Sequence, residues 1–274
     1  MHEMLRVGPG FRLDQVDTGA TPGIDADKKT TERMLAEGAE RLSALQERLF
    51  ADSRAGGTRR VLLVLQAMDT AGKGGILRHV VGAVDPQGVQ IAAFKKPTAE
   101  ELEHDFLWRI EKRLPEAGMI GVFDRSHYED VLIGRVRQLA PADEIERRYD
   151  EIRAFEQRVA DSGTEIVKVM LHISSAEQKA RLTERLERPD KHWKYNPGDV
   201  DDRMLWAEYQ AAYQLVLDRT DAPHAPWYVV PADHKWYARL AVQAILLAAL
   251  ERIDPQWPAA DYDVEHEKAR LAAT

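Results

Sequence analysis

The residues best suited to chemistry lie in three short stretches. The first, LQAMDTAGKGG (residues 65–75), sets Gly72 and Lys73 after an apolar run and before a helical pattern. A phosphate-binding loop of the form G-x-x-x-x-G-K-[ST] offers backbone N–H groups at a helix N-terminus, a lysine for the phosphates and a hydroxyl for magnesium. Two parts of that form differ here: Ala67 stands where the first glycine belongs, and Gly74 where the hydroxyl belongs. Ala71, Gly72, Gly74 and Gly75 remain candidate phosphate contacts, with Lys73 reaching the transferring phosphate. Asp69, inside the loop, would repel phosphate unless a cation stood between them. It is therefore a candidate magnesium ligand, or a group that orients an acceptor phosphate. A plain glycine-rich turn with a surface lysine is the competing reading, and the strand-to-helix context favours phosphate.

The second stretch, MIGVFDRSHYEDVLIGRV, closes an apolar run with Asp124 and Arg125. A carboxylate at the end of a buried strand suits a magnesium-directed role of the Walker B kind. The Arg125 guanidinium can grip phosphate with a fork that lysine lacks. Ser126 reads as a helix N-cap, with Glu129 three residues on to complete a capping box. Glu129 is also kept among the phosphate- and nucleotide-binding candidates. Further cations fall nearby in the pattern: Arg78 on the helix after the loop, Lys95 and Lys96 after the second strand, and Arg135 and Arg137 beyond Asp124. Facing one groove, they would form a track for a chain of phosphates. Taken singly, each is more simply a solvated surface charge.

The third stretch, RLTERLERPDKHWKYNPGDVDDRMLWAEYQAAY (181–213), packs Arg181, Arg185, Arg188, Lys191 and Lys194 close together, broken by Pro189 and by Pro197-Gly198. Such a basic segment reads as a lid whose arginines stabilise charge on a moving phosphoryl group and exclude water. Trp193 and Tyr195 suit base stacking or core packing equally.

These residues need elements to hold them. Apolar runs of strand length occur at 61–67, 89–94, 119–123, 165–173 and 227–231. Between them lie helical patterns at 73–84, 99–114, 127–138, 143–161, 175–187 and 201–219, after a first from Asp27 to about Asp52 and before a last from His234 to Ile253. Strands alternating with helices predict an α/β fold with a five-stranded parallel sheet covered on both faces. In such sheets ligands bind beyond the carboxyl ends of the strands, which is where the candidates fall. Residues 1–27 read as an irregular arm. Residues 28–274 read as one domain, with the lid at about 181–205.

Composition narrows the class further. The chain has 274 residues, 44% hydrophobic, with no cysteine, which excludes disulfides, thiolate metal sites and cysteine nucleophiles. A net charge of −8 argues against binding nucleic acid over the whole surface, though not against a local basic groove. No signal-peptide core or membrane-spanning run is visible, so a cytoplasmic protein without membrane or nucleic-acid partners is expected.

The residues AMDTAGKGG, FKKP, FDRSHYEDVL, RPDKHWKYNPGD and APWYVVPADHKWY together resemble the polyphosphate kinase 2 family. They run from Ala67 to Tyr237, and the combination is far more specific than the loop alone. The resemblance implies a P-loop kinase-like three-layer sandwich with a helical lid, and Mg2+-dependent phosphoryl transfer between inorganic polyphosphate and nucleotides. It implies Asp69 and Asp124 as carboxylates organising metal and phosphate. Lys73, Arg125, Arg185 and Arg188 are implied as phosphate contacts, Lys95 and Lys96 as part of the chain track, and Asp199 as an acidic lid position. The family's own loop reads M-D-x-x-G-K, which accounts for both departures at 67 and 74. His127-Tyr128-Glu129-Asp130 resembles the branch acting on nucleoside mono- and diphosphates, whereas Gly74 resembles other branches. AMP and ADP are both expected as acceptors, with guanine nucleotides as a second base class, in a homo-oligomer. An ATP-dependent monophosphate kinase would share sheet, loop and lid but leave the basic track unused. A silent nucleotide- or polyphosphate-binding protein would not need Asp69, Lys73, Asp124 and Arg125 together.

Overall fold

The computed structural model describes residues 1–26 and 28–274. The predicted start of the first helix at Asp27 lies outside the described residues. In chain order the elements are α1 (Lys28–Arg54), β1 (Arg60–Ala67), α2 (Lys73–His79), β2 (Val89–Ala93), α3 (Ala99–Leu102), α4 (Trp108–Glu111), β3 (Ile120–Asp124), α5 (Ile133–Val136), α6 (Ala142–Asp161), β4 (Thr164–His172), α7 (Ser175–Glu187), α8 (Gly198–Met204), α9 (Trp206–Thr220), β5 (Trp227–Pro231), α10 (Lys235–Ile253) and α11 (Val264–Ala272). Short 3-10 turns link several of them.

The five strands form one sheet in the order β2-β3-β1-β4-β5. Every pairing is parallel. The central strands β1 and β4 are apolar on both faces because helices cover both: α1, α2 and α10 pack on one side, and α5, α6 and α9 on the other. Val61, Leu63 and Val64 of β1 and Val167 and Val169 of β4 are all fully buried. Burying a side chain of this size contributes about 1.5–3 kcal/mol each. The arm is tied to this core. Leu5, Val7 and Leu13 join the buried cluster, and the Val7 N–H donates to Trp227 O at 2.9 Å.

Four predicted helices are interrupted. The pattern at 73–84 gives α2 only as far as His79, followed by a 3-10 turn over Val81–Ala83. The pattern at 99–114 gives two single turns. Thr98 starts α3 with a capping box, and then the Asp105 carboxylate accepts from Leu107 N at 2.9 Å and bends the chain away. The pattern at 127–138 opens as a 3-10 turn over His127–Asp130 and breaks at Leu132 (φ −92, ψ −84) before α5. At 201–219, Leu205 (φ −100, ψ 30) separates α8 from α9. Helix α11, absent from the sequence expectation, carries no buried residue.

Candidate active site

β1 hands the chain to a tight loop that opens α2. Two backbone positions set its shape. Gly72, the N-cap of α2, has φ +124, which a side chain rarely adopts, and Thr70 is held at φ +66. Register then decides what faces the loop. β3 pairs in parallel with β1, with Leu65 opposite Asp124, so the end of β3 stands beside the start of the loop. Lys73 Nζ consequently lies 4.0 Å from Asp124 Oδ1 and 3.4 Å from Ala67 O.

Arg125 follows at φ +64, a turn that sends its guanidinium back over the loop. It donates to Asp69 Oδ1 at 2.8 Å and approaches Glu129 Oε2 at 3.5 Å. Burial opposes the Arg125 charge, but Glu129, Asp69 and Asp124 around it raise its pKa still further above the ordinary value. Burial also lifts the Glu129 carboxyl, against the pull of Arg125 and Lys73. The capping box expected of Ser126 and Glu129 does not form. Ser126 Oγ accepts from Tyr128 N, while Glu129 turns to Arg125. Gln66, with its amide oriented to satisfy both ends, donates to Glu129 Oε1 at 2.9 Å.

Loop, strand end and lid enclose one cavity of about 580 Å3. Asp69, Ala71, Gly72, Lys73, Gly74, Gly75 and Arg78 line one wall, with Asp124 and Arg125 beside them. Arg185, Arg188, Lys191 and Lys194 line the other. The cavity gathers ten Lys and Arg side chains against three carboxylates, an imbalance that calls for a polyanion. Some lid cations are partly neutralised within the protein. Arg188 pairs with Glu184 at 2.9 Å and with Asp190, and Arg185 contacts Asp199 Oδ2 at 3.3 Å and Lys194 O at 3.0 Å. Asp199 lies in that contact, and burial, with the nearby Asp69 charge, pushes its pKa up to about 6 despite Arg185.

Other predicted residues stand elsewhere. Lys95 and Lys96 are exposed after the edge strand β2 and do not line the cavity. Arg135 is bound to Glu146 at 2.6 Å and Arg137 to Asp202 at 2.7 Å, so neither joins a phosphate track in this cavity. Arg181 lines the cavity yet is almost wholly buried and bonded to backbone. His127, of the His127-Tyr128-Glu129-Asp130 stretch, is buried beside Glu156 Oε1 at 3.3 Å and does not line the cavity. Trp193 is 78% exposed on the lid, which removes the core-packing reading for it. Sequence reasoning missed His79, Lys235 and Arg239, which also line the cavity. Burial and the Arg78 charge lower the pKa of Arg239, and burial with Arg239 and Arg78 lowers that of His79. Lys235 and Arg239, four residues apart in the helix after β5, were legible as cations at a strand's carboxyl end.

A phosphate loop after the central strand of a parallel sheet, roofed by cations, defines a P-loop kinase-like phosphotransferase. The family model for polyphosphate kinase 2 matches residues 25–258. The chain is 45% identical over 248 residues to an AMP/ADP-polyphosphate phosphotransferase of Meiothermus ruber, covering 90% of this chain and 91% of that protein. It is 42% identical to an ADP-polyphosphate phosphotransferase of Rhodopseudomonas palustris, covering 93% and 92%. The crystal structure of polyphosphate kinase 2 from Arthrobacter aurescens superposes with a TM-score of 0.97 at 57% identity, covering 99% of this chain and 96% of that one. The chain belongs to the polyphosphate kinase 2 family. It is a phosphotransferase that acts between polyphosphate and nucleotides.

Proposed function

We propose that the enzyme passes the terminal phosphoryl group of inorganic polyphosphate to both AMP and ADP, reversibly and with Mg2+. The observation that carries this reading is the single cavity in which a phosphate loop faces a cationic lid with few carboxylates. The dual acceptor is supported by the likeness to the Meiothermus ruber protein, named for both nucleotides. The Rhodopseudomonas palustris relative, named for ADP alone, makes the acceptor the point to test.

The residues present fit a magnesium ion. Asp124 Oδ1 is buried and has no hydrogen-bond partner, an unusual state for a carboxylate oxygen. Asp69 has Oδ1 engaged by Arg125, leaving Oδ2 for a cation. Among the described residues no group of three or more His, Cys, Asp or Glu converges as a metal site. Magnesium is commonly held by one or two carboxylates plus phosphates and waters. When bound, the ion would neutralise phosphate oxygens during transfer.

In this reading Lys73, Arg125, Arg185 and Arg188 grip the phosphates, and Ala71, Gly72, Gly74 and Gly75 supply the loop's phosphate-facing backbone. Arg78, Lys191 and Lys194 bind the chain further out, and Lys95 and Lys96 extend its path outside the cavity. Glu129 orients Arg125, and Asp199 sets Arg185. A terminal oxygen of the acceptor nucleotide attacks the terminal phosphorus. The bond to the bridging oxygen breaks, and that oxygen keeps the electron pair on the shortened chain. No protein nucleophile is needed, so rate enhancement comes from positioning and charge stabilisation.

A homo-oligomer belongs to the same proposal, supported by exposed Trp257, Tyr262 and Leu271 near the C-terminus. So do a cytoplasmic setting and guanine as a second base. No helix among the described residues is long and apolar enough to cross a membrane. The test is chromatographic: purified protein, Mg2+ and long-chain polyphosphate, with AMP or ADP alone. ADP followed by ATP from AMP is expected. ATP formed only when ADP is supplied would restrict the acceptor to the diphosphate.

A further inference from the structure

Arg181 belongs by sequence to the lid's basic cluster, but its bonding sets it apart. The guanidinium has five N–H donors in a rigid plane, and five protein acceptors meet them. Nε donates to Glu177 Oε1 at 2.7 Å. One terminal nitrogen donates to Thr70 O and Ala71 O, both at 3.0 Å. The other donates to Ala232 O at 2.7 Å and Asp233 O at 2.9 Å. No N–H is left for a phosphate. One turn earlier on the same face of α7, Gln178 Nε2 donates to Asp69 O at 3.2 Å. Three consecutive carbonyls of the phosphate loop are therefore held by one helix.

In a trans peptide the C=O and the following N–H point in opposite directions. Drawing the Asp69 and Ala71 carbonyls towards α7 turns the Thr70 and Gly72 N–H groups the other way. Among the described residues those two N–H groups donate to no protein acceptor, whereas Ala71 N–H closes a turn on Met68 O at 3.3 Å. The loop conformation is one that Thr70, a β-branched residue at φ +66, does not favour unaided.

We propose that Arg181, seconded by Gln178, is a positioning residue: it clamps the back of the phosphate loop so that the loop's free N–H groups face the donor phosphate. This rests on the proposed binding of polyphosphate at that loop. The same helix carries Arg185, four residues on, which bonds to the lid at Lys194 O and Asp199, so one rigid element sets both loop and lid. Lysine cannot replace the clamp, because a point charge cannot fork to four carbonyls.

The experiment compares Arg181→Lys, Arg181→Ala and Gln178→Leu with wild type. Arg181→Lys should lower kcat/KM for polyphosphate by about 100-fold, the scale of a displaced reacting geometry, with little change in the KM for ADP. Methylguanidinium, but not methylammonium, should restore part of the Arg181→Ala activity. Gln178→Leu, the milder change if the arginine variants fold poorly, should lower kcat without altering the KM for ADP. Near-wild-type activity in Arg181→Lys, or equal rescue by methylammonium, would overturn the clamp and leave only charge. Hydrogen exchange without substrate separates this idea from the functional reading. Faster exchange of the 68–76 peptide in Arg181→Lys supports the clamp even if wild type fails to use polyphosphate, a failure that would count against the proposed function alone. Unchanged exchange there would overturn the clamp whatever the donor.

Discussion

Two clusters of charge lie on either side of Arg125, and they are built on opposite plans. Beneath the sheet, Lys168 is fully buried and donates to Glu156 Oε2 at 2.6 Å, Tyr128 OH at 3.0 Å and Thr220 O at 2.7 Å. Tyr128 OH in turn donates to Glu156 Oε1 at 2.7 Å, with His127 at 3.3 Å. Burial alone would lift the Glu156 carboxyl, and the Lys168 ammonium and His127 hold it below its ordinary pKa. Every ammonium hydrogen there has a protein acceptor. In the cavity above, by contrast, cations outnumber carboxylates, and Asp124 Oδ1 has no hydrogen bond, its ion-pair neighbour being the Lys73 ammonium 4.0 Å away. The buried ammonium is fully paired within the protein, with His127 Nδ1 alone in that cluster lacking a hydrogen bond, and it organises structure. The cavity's excess of cations is not matched within the protein and suits a ligand. The first also serves the second: with His127 and Tyr128 anchored below, the chain at Arg125 is pinned in the turn that aims it at Asp69.

That contrast is sharpest in paired substitutions. Lys73→Ala should lower kcat with polyphosphate by about 10^3-fold, as removal of one transition-state donor does, while the melting temperature stays near wild type. Lys168→Met should do the reverse, costing about 3–5 kcal/mol of stability in denaturant unfolding because Glu156 is left buried and unpaired. Adding Glu156→Leu should recover much of that loss. If Lys168→Met proved as stable as wild type, the buried cluster would not be the organising element described above.

Asp199 lies between the two plans, paired with Arg185 but near Asp69. The folded protein keeps this proton up to about 6, whereas the unfolded chain releases it near the ordinary value of 3.8. The folded state binds more protons in that window, so the contribution of Asp199 to stability falls as pH rises through it. Thermal melts of the ligand-free protein should show wild type losing on the order of 1–2 kcal/mol relative to Asp199→Asn between those values. Parallel curves would remove the perturbed carboxyl. The smallest effect is expected at Arg135, paired with Glu146 outside the cavity. Arg135→Ala should leave the KM for polyphosphate unchanged and shift stability by no more than about 1 kcal/mol. A raised KM would put a phosphate track back on α5.

What the sequence could and could not reveal follows the same division. Four strands were legible because parallel strands buried on both faces read as near-continuous apolar runs. The edge strand β2 is only partly buried, with Ile91 exposed, and was legible from its short apolar run alone. The loop, Asp124 and Arg125 were legible from their place after such runs. The helix breaks at Asp105 and Leu132 were not, because they depend on one side-chain bond and on the burial of His127 and Tyr128 against residues far along the chain. Arg181 looked like its lid neighbours because charge spacing is local, whereas its acceptors at Thr70, Ala71, Ala232 and Asp233 lie more than 50 residues away along the chain. Arg135 and Arg137 misled for the same reason, since their carboxylates come from other elements.

The most direct measurement follows label from polyphosphate, as sole phosphoryl donor, into nucleotide. With 32P-labelled chains, Mg2+ and ADP, the terminal phosphate of ATP should become labelled in wild type and not in Lys73→Ala of equal thermal stability. Equal labelling by the two proteins would contradict the assignment of the cavity as the site of transfer, and no labelling by wild type with either ADP or AMP would contradict the activity itself.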